Sequence, residues 1–229
     1  MSVWVPVMLQ RWHEISFFHW PCEPALLQKR LPSQLRIEEF DGTAWVSVTP
    51  FFLKGLRPPL LPKALGLDFP ETNLRTYVQG PSGPGIWFFS LDAASVRAVI
   101  GARSTIGLPY RLAKMSVRIS DTTNTYSSNR SGRAAVSITI EKGPRLASKS
   151  ALDVFLTERY RLYSVHFSTL LTVEVAHSPW VLNTLRIVEF SEGLRAAASL
   201  PDGDAPLLCH HSAGVDSRIG LPVPIARTR

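Results

Sequence analysis

Polar and apolar side chains alternate most regularly in residues 69–78. Because alternate side chains of a strand point to opposite faces, one face of this segment carries Glu71, Asn73 and Arg75, and Leu74 points the other way. A turn rich in glycine and proline returns the chain to residues 86–89, which are apolar on both faces and need cover on both sides. The pattern predicts a β-hairpin whose polar face points into a curved or closed sheet.

A helix is predicted directly after this hairpin. Asp92 is placed to accept hydrogen bonds from the free N–H groups at the helix start, and Gly107 ends the element. Two cations and a phenol follow, where the chain turns toward the next strand: Tyr110, Arg111 and Lys114. Loops beyond regular elements are where binding and catalytic sites tend to lie.

The rest of the pattern predicts hairpins and short helices. Asp41-Gly42 between strand-like runs is a strong hairpin signal. Three strand pairs are expected, 35–37 with 40–48, 112–120 with 133–140 across a polar loop, and 162–166 with 170–176. Ser150 caps a short helix at 152–160, and the proline-spaced tail from residue 201 is expected to wrap over the fold.

These elements indicate an α+β fold that is predominantly antiparallel β, with a curled or closed sheet and three or four short helices. The sequence has 229 residues and no linker that would divide it, so a single domain over 1–229 is expected. Residues 53–67 are rich in leucine, proline and glycine, and neither regular element is predicted there. An apolar loop is typical of a cover over a cavity or a partner surface, although packing on the protein's own core is also open.

Composition favours an ordinary soluble protein, with 45% hydrophobic and 19% charged residues. No apolar run approaches the ~20 residues that span a bilayer, and a secretory signal pattern is missing, so no membrane contact and a cytoplasmic location are expected. Cys22 and Cys209 are far apart and are expected as free thiols. Cys209-His210-His211 lacks the further spaced ligands of a metal site, and no nucleotide-binding or hydrolase motif is found, so neither a metal nor a cofactor is predicted.

The net charge of +7 is concentrated in one segment. Residues 97–149 hold ten Lys or Arg side chains against Asp121 and Glu141. Such a field attracts anions, although basic side chains on exposed strands also simply keep a sheet soluble. No nucleic-acid-binding signature accompanies the charge, so a small anionic molecule is the expected partner, and a homo-oligomer stays open. If a small anion is bound, Arg111 should meet at least one of Arg75, Arg103 and Lys114 at one pocket mouth.

Several short motifs are spread over nearly the whole chain. They are Leu31-Pro32, Phe40-Asp41-Gly42-Thr43-Ala44-Trp45-Val46, residues 71–78, Phe89-Ser90-Leu91-Asp92, Ala102-Arg103, Leu108-Pro109-Tyr110, Thr157-Glu158-Arg159-Tyr160 and residues 211–216. Together they resemble the YqjF-like family of bacterial proteins. That family is in turn similar to acetoacetate decarboxylase, a mainly β fold in which a lysine forms a Schiff base with a β-keto acid inside a closed sheet.

The decarboxylase resemblance implies a site whose central residue has changed. The family's glutamate corresponds to Glu71, its Pro-Lys-Lys segment to Pro109-Tyr110-Arg111, and its early arginine falls near His13. Tyr110 therefore stands where the resemblance puts the Schiff-base lysine, and a phenol cannot form an imine. Lys114 is near in sequence but about 10 Å away at ~3.3 Å per residue.

Three functions remain open at this point. One is a non-covalent anion-binding cavity, with ligand-binding candidates His13, Asn73, Arg75, Arg103, Arg111 and Lys114. Another is a lyase or other enzyme that uses Glu71 and Tyr110 for acid–base chemistry on a small keto or hydroxy acid. The third is a structural or partner-binding protein that uses the apolar loop 53–67.

Overall fold

The computed structural model describes residues 5–130 and 134–226. One sheet of thirteen strands dominates this part of the chain. The strands are β1 Met8–Cys22, β2 Arg36–Ile37, β3 Ala44–Arg57, β4 Leu67–Gly80, β5 Gly83–Ala93, β6 Tyr110–Leu112, β7 Lys114–Ile119, β8 Thr123–Asn129, β9 Ala135–Arg145, β10 Arg161–His166, β11 Thr169–His177, β12 Asn183–Glu192 and β13 Leu208–Pro224. The helices are α1 Pro24–Gln28, α2 Val96–Ile106, α3 Ala151–Thr157 and α4 Leu194–Ala197.

Seven of the strands close into a barrel. Their order is β1-β3-β4-β5-β10-β11-β13, and β13 pairs back onto β1. Neighbouring strands are antiparallel except β5 and β10. The predicted α+β fold, mainly antiparallel with a closed sheet and four short helices, is confirmed. Closure removes free strand edges and creates an interior that side chains line from all sides.

A second layer covers one side of the barrel. From β13 the sheet continues through β12, β9, β8 and β7. Its apolar side chains, such as Tyr126 and Ile138, pack against Phe18, Val48 and Leu74 on the outer face of the barrel strands. Since Leu74 is fully buried in this outer core, the alternate residues of β4 must point into the barrel.

Both ends of the barrel are occupied. At one end, α3 begins with a capping box in which the Ser150 side chain and Asp153 exchange hydrogen bonds with each other's backbone N–H groups, and its Leu156 lies against Tyr77. At the other end lie α2 and the connection between β3 and β4. This connection, residues 58–66, is called the cover loop below, and it contains one turn of 3₁₀-helix, Lys63–Leu65.

Several boundaries differ from the sequence pattern. The predicted polar loop at 121–132 contains β8, because Asn124, Tyr126 and Ser128 are buried and the strand pairs with both β7 and β9. The tail after residue 200 supplies β13, the strand that closes the barrel. Arg133, the expected start of the neighbouring strand, lies outside the described residues.

Two predicted elements are present, but they contact different residues from those expected. The Asp41-Gly42 turn is present, with positive φ at both residues, but β2 pairs with β4 and not with β3. The helix after β5 does end at Gly107, yet its cap is Ser95. Asp92 lies fully buried in β5, where Arg130 is 3.2 Å away.

Candidate functional site

The barrel encloses a cavity of about 720 Å³. Much of its wall is apolar, with side chains from β1, β3, β5, β11 and β13, including Trp12, Phe51, Phe88, Val173 and Ile219. The cover loop closes over it through Pro58, Leu61 and Leu65. The loop that composition marked as a cover, partner surface or core segment is therefore part of the cavity wall. Its regular ends belong to β3 and β4, which the sequence pattern did not predict.

Glu71, Asn73 and Arg75 project from β4 into this cavity. They are 3%, 5% and 8% exposed. β4 is held between β3 and β5, where Glu71 pairs with Phe51 and Ala93, so its backbone is fixed on both sides. The alternation in the sequence predicted this placement correctly.

Tyr110 meets Glu71 across the barrel wall. β6 runs parallel to β5 with Tyr110 beside Leu91, and from there the Tyr110 hydroxyl donates a hydrogen bond of 2.9 Å to Glu71 Oε2. Burial raises the pKa of Glu71 to about 8, although the hydrogen bonds from Tyr110 and Asn73 oppose the shift. Burial and the Glu71 carboxyl group raise the pKa of Tyr110 well above its ordinary value. At neutral pH both groups therefore mostly keep their protons.

Arg75 is a buried cation without a carboxylate partner in the described chain. One guanidinium nitrogen donates to the Leu156 carbonyl oxygen at 3.3 Å, the guanidinium lies 5.4 Å from the centre of the Phe17 ring, and the buried Nε has no partner. Burial lowers the pKa of Arg75. Glu71 lies on the same face of β4, but it bonds to Tyr110 and Asn73 and forms no ion pair with Arg75.

The comparisons with known proteins agree with this architecture. Residues 9–216 match the DUF2071 family, described as "Uncharacterized conserved protein". The chain belongs to the DUF2071 family. YqjF of Bacillus subtilis (strain 168) is 38% identical over 218 residues, which cover 90% of this chain and 87% of that protein.

Solved structures similar to this DUF2071 chain have the acetoacetate decarboxylase-like fold. The enduracididine biosynthesis enzyme MppR, complexed with pyruvate, has a TM-score of 0.68 at 13% identity and covers 98% of this chain and 93% of its own. Acetoacetate decarboxylase from Legionella pneumophila has a TM-score of 0.64 at 14% identity, covering 99% and 92%. An acetoacetate decarboxylase-like enzyme from Sphingomonas wittichii RW1 has a TM-score of 0.65 at 15% identity, covering 98% and 95%. Identities this low show the fold alone.

Four predicted ligand-binding residues of the DUF2071 chain lie away from the cavity wall. His13 follows the inward-pointing Trp12 and so points outward, next to a bulge at Glu14. Arg111 alternates outward after Tyr110, whereas Lys114 begins β7 in the outer layer. Arg103 is exposed on α2. Of the four basic residues expected at one mouth, the wall contains Arg75 and none of the other three.

Other polar groups of the wall were not selected from the sequence. Arg159 and Arg161 line the cavity but are paired, with Glu38 at 2.7 Å and Glu174 at 3.4 Å. Arg97 lies exposed at the mouth. Arg159 belongs to the motif Thr157-Glu158-Arg159-Tyr160, but only closure of the barrel brings its side chain to the cavity wall beside Tyr77 of β4.

The basic segment does not form one anion site. Arg130 pairs with Asp92, Lys142 with Glu14 and Lys149 with Glu158, and Arg118 and Arg145 are exposed. Its Arg133 lies outside the described residues. The charge of the segment is thus divided among separate ion pairs and exposed surface, as expected of side chains that stabilise and solubilise a sheet.

The motif Cys209-His210-His211 lies at the start of β13, where both histidines contact carboxylates. His210 lies 2.9 Å from Asp153 and His211 lies 3.2 Å from Glu14, on different sides of the strand. The described residues contain no cluster of side chains suited to a metal ion. Cys22 and Cys209 are free, and burial raises the pKa of Cys209 to about 12, which makes it a poor nucleophile. Among the described helices, none has the length and apolarity to cross a bilayer.

Proposed function

We propose that this DUF2071 chain binds a small organic anion of the carboxylate type inside its barrel, without a covalent bond. The observation that supports this is Arg75, a buried guanidinium on the cavity wall without a carboxylate partner in the described chain. A buried charge is costly unless an opposite charge and hydrogen bonds accompany it. The planar fork of a guanidinium matches a carboxylate, so such a ligand would offset the cost.

The chemistry of the wall favours reversible binding. Imine formation needs a neutral lysine amine, and no lysine side chain of the described chain lines the cavity. Tyr110 occupies the position that the resemblance assigns to that lysine. The fold neighbour MppR was solved in complex with pyruvate, a small carboxylate, which is consistent with a ligand of this class.

Calorimetric titration with monocarboxylates from pyruvate to octanoate tests the proposal. We expect binding, and a loss of roughly tenfold or more in Arg75→Met, because a charge-assisted hydrogen-bonded pair is removed. Arg111→Ala is the matched control, since it removes an exposed arginine outside the wall and leaves the affinity unchanged. Failure of every acid to bind, or full binding by Arg75→Met, would contradict the proposal.

Reductive trapping tests the absence of covalent chemistry. The protein is incubated with acetoacetate, treated with borohydride and weighed by mass spectrometry. We expect an unchanged mass, because the cavity wall offers no amine. A trapped adduct, on Lys114 or any other lysine, would contradict non-covalent binding.

A second function, acid–base catalysis on a small keto acid, is favoured by the hydrogen bond between Glu71 and Tyr110. A carboxyl group with its pKa near 8 can both accept and return a proton close to neutral pH. The Glu71 carboxylate would take a proton from the carbon beside the ligand's carbonyl group, and the electron pair would move onto the carbonyl oxygen. The Tyr110 hydroxyl would turn from Glu71 and donate a hydrogen bond to that oxygen. The proton on Glu71 would exchange with solvent, and the reverse step would return a proton to the carbon and restore the keto acid.

Hydrogen exchange in heavy water tests this second function. The methyl signal of pyruvate should disappear from the proton spectrum faster with the protein than without it, and faster still as the pH rises toward about 8, where Glu71 loses its proton. Glu71→Gln should remove the acceleration, and Arg111→Ala should keep it. Exchange at the rate of the protein-free sample would contradict the acid–base function and would not affect the proposal of anion binding.

A further inference from the structure

The cavity wall changes character along the barrel. Towards α3 the wall carries Arg75 and Thr157. Towards the cover loop it is lined by five leucines, of which Leu61 and Leu65 on the loop itself stay 36% and 62% exposed: Leu53, Leu56, Leu61, Leu65 and Leu67. Glu71 and Tyr110 lie between these two regions, and because they bond to each other they leave less polar surface free. One end therefore suits an anion and the other suits hydrocarbon.

The two ends are far apart. Leu67 and Arg75 are separated by eight residues of the same strand, which is about 26 Å at ~3.3 Å per residue. The cavity of about 720 Å³ has room for roughly two dozen water molecules at ~30 Å³ each. A ligand as small as pyruvate at Arg75 would leave the leucine-lined space filled with water. Apolar surface is stabilised when it is removed from water, so this arrangement favours a ligand that reaches the leucines.

We propose that the natural ligand is a carboxylic acid with a long, unbranched apolar tail, whose carboxylate binds Arg75 and whose tail extends past Glu71 to the leucines under the cover loop. This inference rests on the proposed anion-binding function of the same cavity and adds the class of ligand. The carboxylate of the ligand lies at the α3 end and its apolar tail lies at the cover loop. Each end of the ligand therefore contacts a wall of matching chemistry.

The charge state of the middle of the cavity fits this orientation. With its pKa at about 8, Glu71 is mostly uncharged at neutral pH. An uncharged carboxyl group neither repels the carboxylate on its way to Arg75 nor presents a charge beside the tail. The exposed cation at the mouth, Arg97, would attract the anion on its approach.

A chain-length series tests the inference. Acetate, butanoate, octanoate, dodecanoate and hexadecanoate are titrated below the concentrations at which they form micelles. We expect the affinity to rise by about two- to fourfold for each added methylene, as expected when a methylene is buried against apolar walls. The rise should level off once the tail fills the space beneath the cover loop.

Two neighbouring leucines provide a matched pair of variants. Leu61 lines the cavity, whereas Leu60 is 99% exposed and does not. Leu61→Ser should lower the affinity for the longest acids of the series by about fivefold or more, as expected when a leucine contact is lost. Leu60→Ser should leave the series as it is in the unchanged protein. Because both side chains lie on the cover loop, this comparison does not depend on how well the Arg75 variant folds.

The possible results distinguish a wrong class of ligand from a wrong anion-binding function. If short acids bind through Arg75 but longer ones bind no more tightly, the class of ligand is wrong and the anion site stands. If the series rises equally in Arg75→Met, or equally in Leu61→Ser and Leu60→Ser, the tail binds elsewhere and the inference is overturned. If no acid of any length binds, both proposals fall.

Discussion

Arg75 is a buried cation with little structural compensation. It lies 8% exposed beside Phe17, and its contacts are a backbone carbonyl and neighbouring side chains. A charge buried in this way destabilises the empty protein unless a ligand supplies the opposite charge. Such side chains are typical of functional sites, where stability is lost in exchange for binding.

Arg75→Met should therefore raise the stability of the protein in the absence of ligand. We expect an increase of about 1 kcal/mol or more in the free energy of unfolding, since the uncompensated charge is replaced by an apolar side chain of similar length. Urea denaturation measures it. Arg103→Met, at an exposed position, should change the value by less than about 0.5 kcal/mol. A clear loss of stability in Arg75→Met would mean that its contacts, and not a ligand, explain its burial.

Glu71 should make stability fall as the pH rises. Its pKa is about 8 in the folded protein against an ordinary value of 4.5, so the folded state holds the proton more tightly. This contribution to stability is then fully present below about pH 4.5 and is lost as the pH rises through about 8, by an amount on the order of 5 kcal/mol. Urea denaturation at about pH 5 and about pH 8.5 measures this slope.

Glu71→Gln should remove most of that slope, because the amide does not titrate. Glu14 acts in the opposite direction and over another range, since hydrogen bonds from His211, Lys142 and Asn124 outweigh burial and lower its pKa to about 2. Its contribution is lost only as the pH falls below about 4.5. A slope between about pH 5 and about pH 8.5 that is equal in both proteins would contradict the burial of Glu71 as a neutral acid.

The sequence predicted which face of β4 is polar, but not which arginines from other segments lie on the same cavity wall. Alternation is a local property, so Glu71, Asn73 and Arg75 could be assigned to one face from residues 69–78. Burial of that face depends on Phe17 and Leu156, which are distant in sequence. Only closure of the barrel places Arg111 outside it and Arg159 on the cavity wall.

At the scale of elements, α3 connects the end of the barrel to the site. Its Leu156 carbonyl accepts hydrogen bonds from Arg75 and from Tyr77, the latter at 2.9 Å. The helix has seven residues, so its capping box contributes a large share of its local stability. Loss of the cap should therefore affect both folding and the position of Arg75.

Ser150→Ala should lower the free energy of unfolding by about 1 kcal/mol, because it removes the Ser150 hydroxyl that accepts a hydrogen bond from the Asp153 N–H. It should also weaken carboxylate binding, which calorimetry would detect. Ser104→Ala on α2 is the control, since that hydroxyl bonds only to carbonyl groups of its own helix. Equal effects of the two changes would contradict a special role of the cap.

Elements with local signals were predicted well, and those that depend on distant partners were not. The Asp41-Gly42 turn, the Ser150 cap and the strand pair β10–β11 follow from neighbouring residues. β8 is rich in Ser, Thr and Asn, so its composition suggests a loop until β7 and β9 pair with it. β13 contains proline and glycine, and its strand character comes from β1 and β11 on either side.

For the whole molecule, closure of the barrel depends on the seam between β1 and β13. Gly214 lies opposite His13 at this seam with φ of +110°, and a Cβ atom there would lie 1.8 Å from the Trp12 carbonyl oxygen. No side chain fits without moving β1. The glycine within the motif at 211–216 is thus explained by a close approach of two backbones.

Gly214→Ala should cost about 3 kcal/mol or more in the free energy of unfolding, from the strained backbone together with the clash. Gly203→Ala is the matched control, because its φ is +92° and nothing lies within 4 Å of the added Cβ. It should cost about 1 kcal/mol, from the backbone alone. Similar losses in both variants would mean that the seam tolerates displacement.

The most direct test of the account is a crystal structure of the protein with hexadecanoate that carries bromine at the end of its tail. We predict a carboxylate in hydrogen-bonding distance of the Arg75 guanidinium, within the barrel, and an anomalous bromine peak beside Leu61 and Leu65 under the cover loop. A ligand found instead in the open groove lined by Lys29, Arg30 and Trp87, with the barrel free of it, would contradict the assignment of Arg75 as the anion-binding residue.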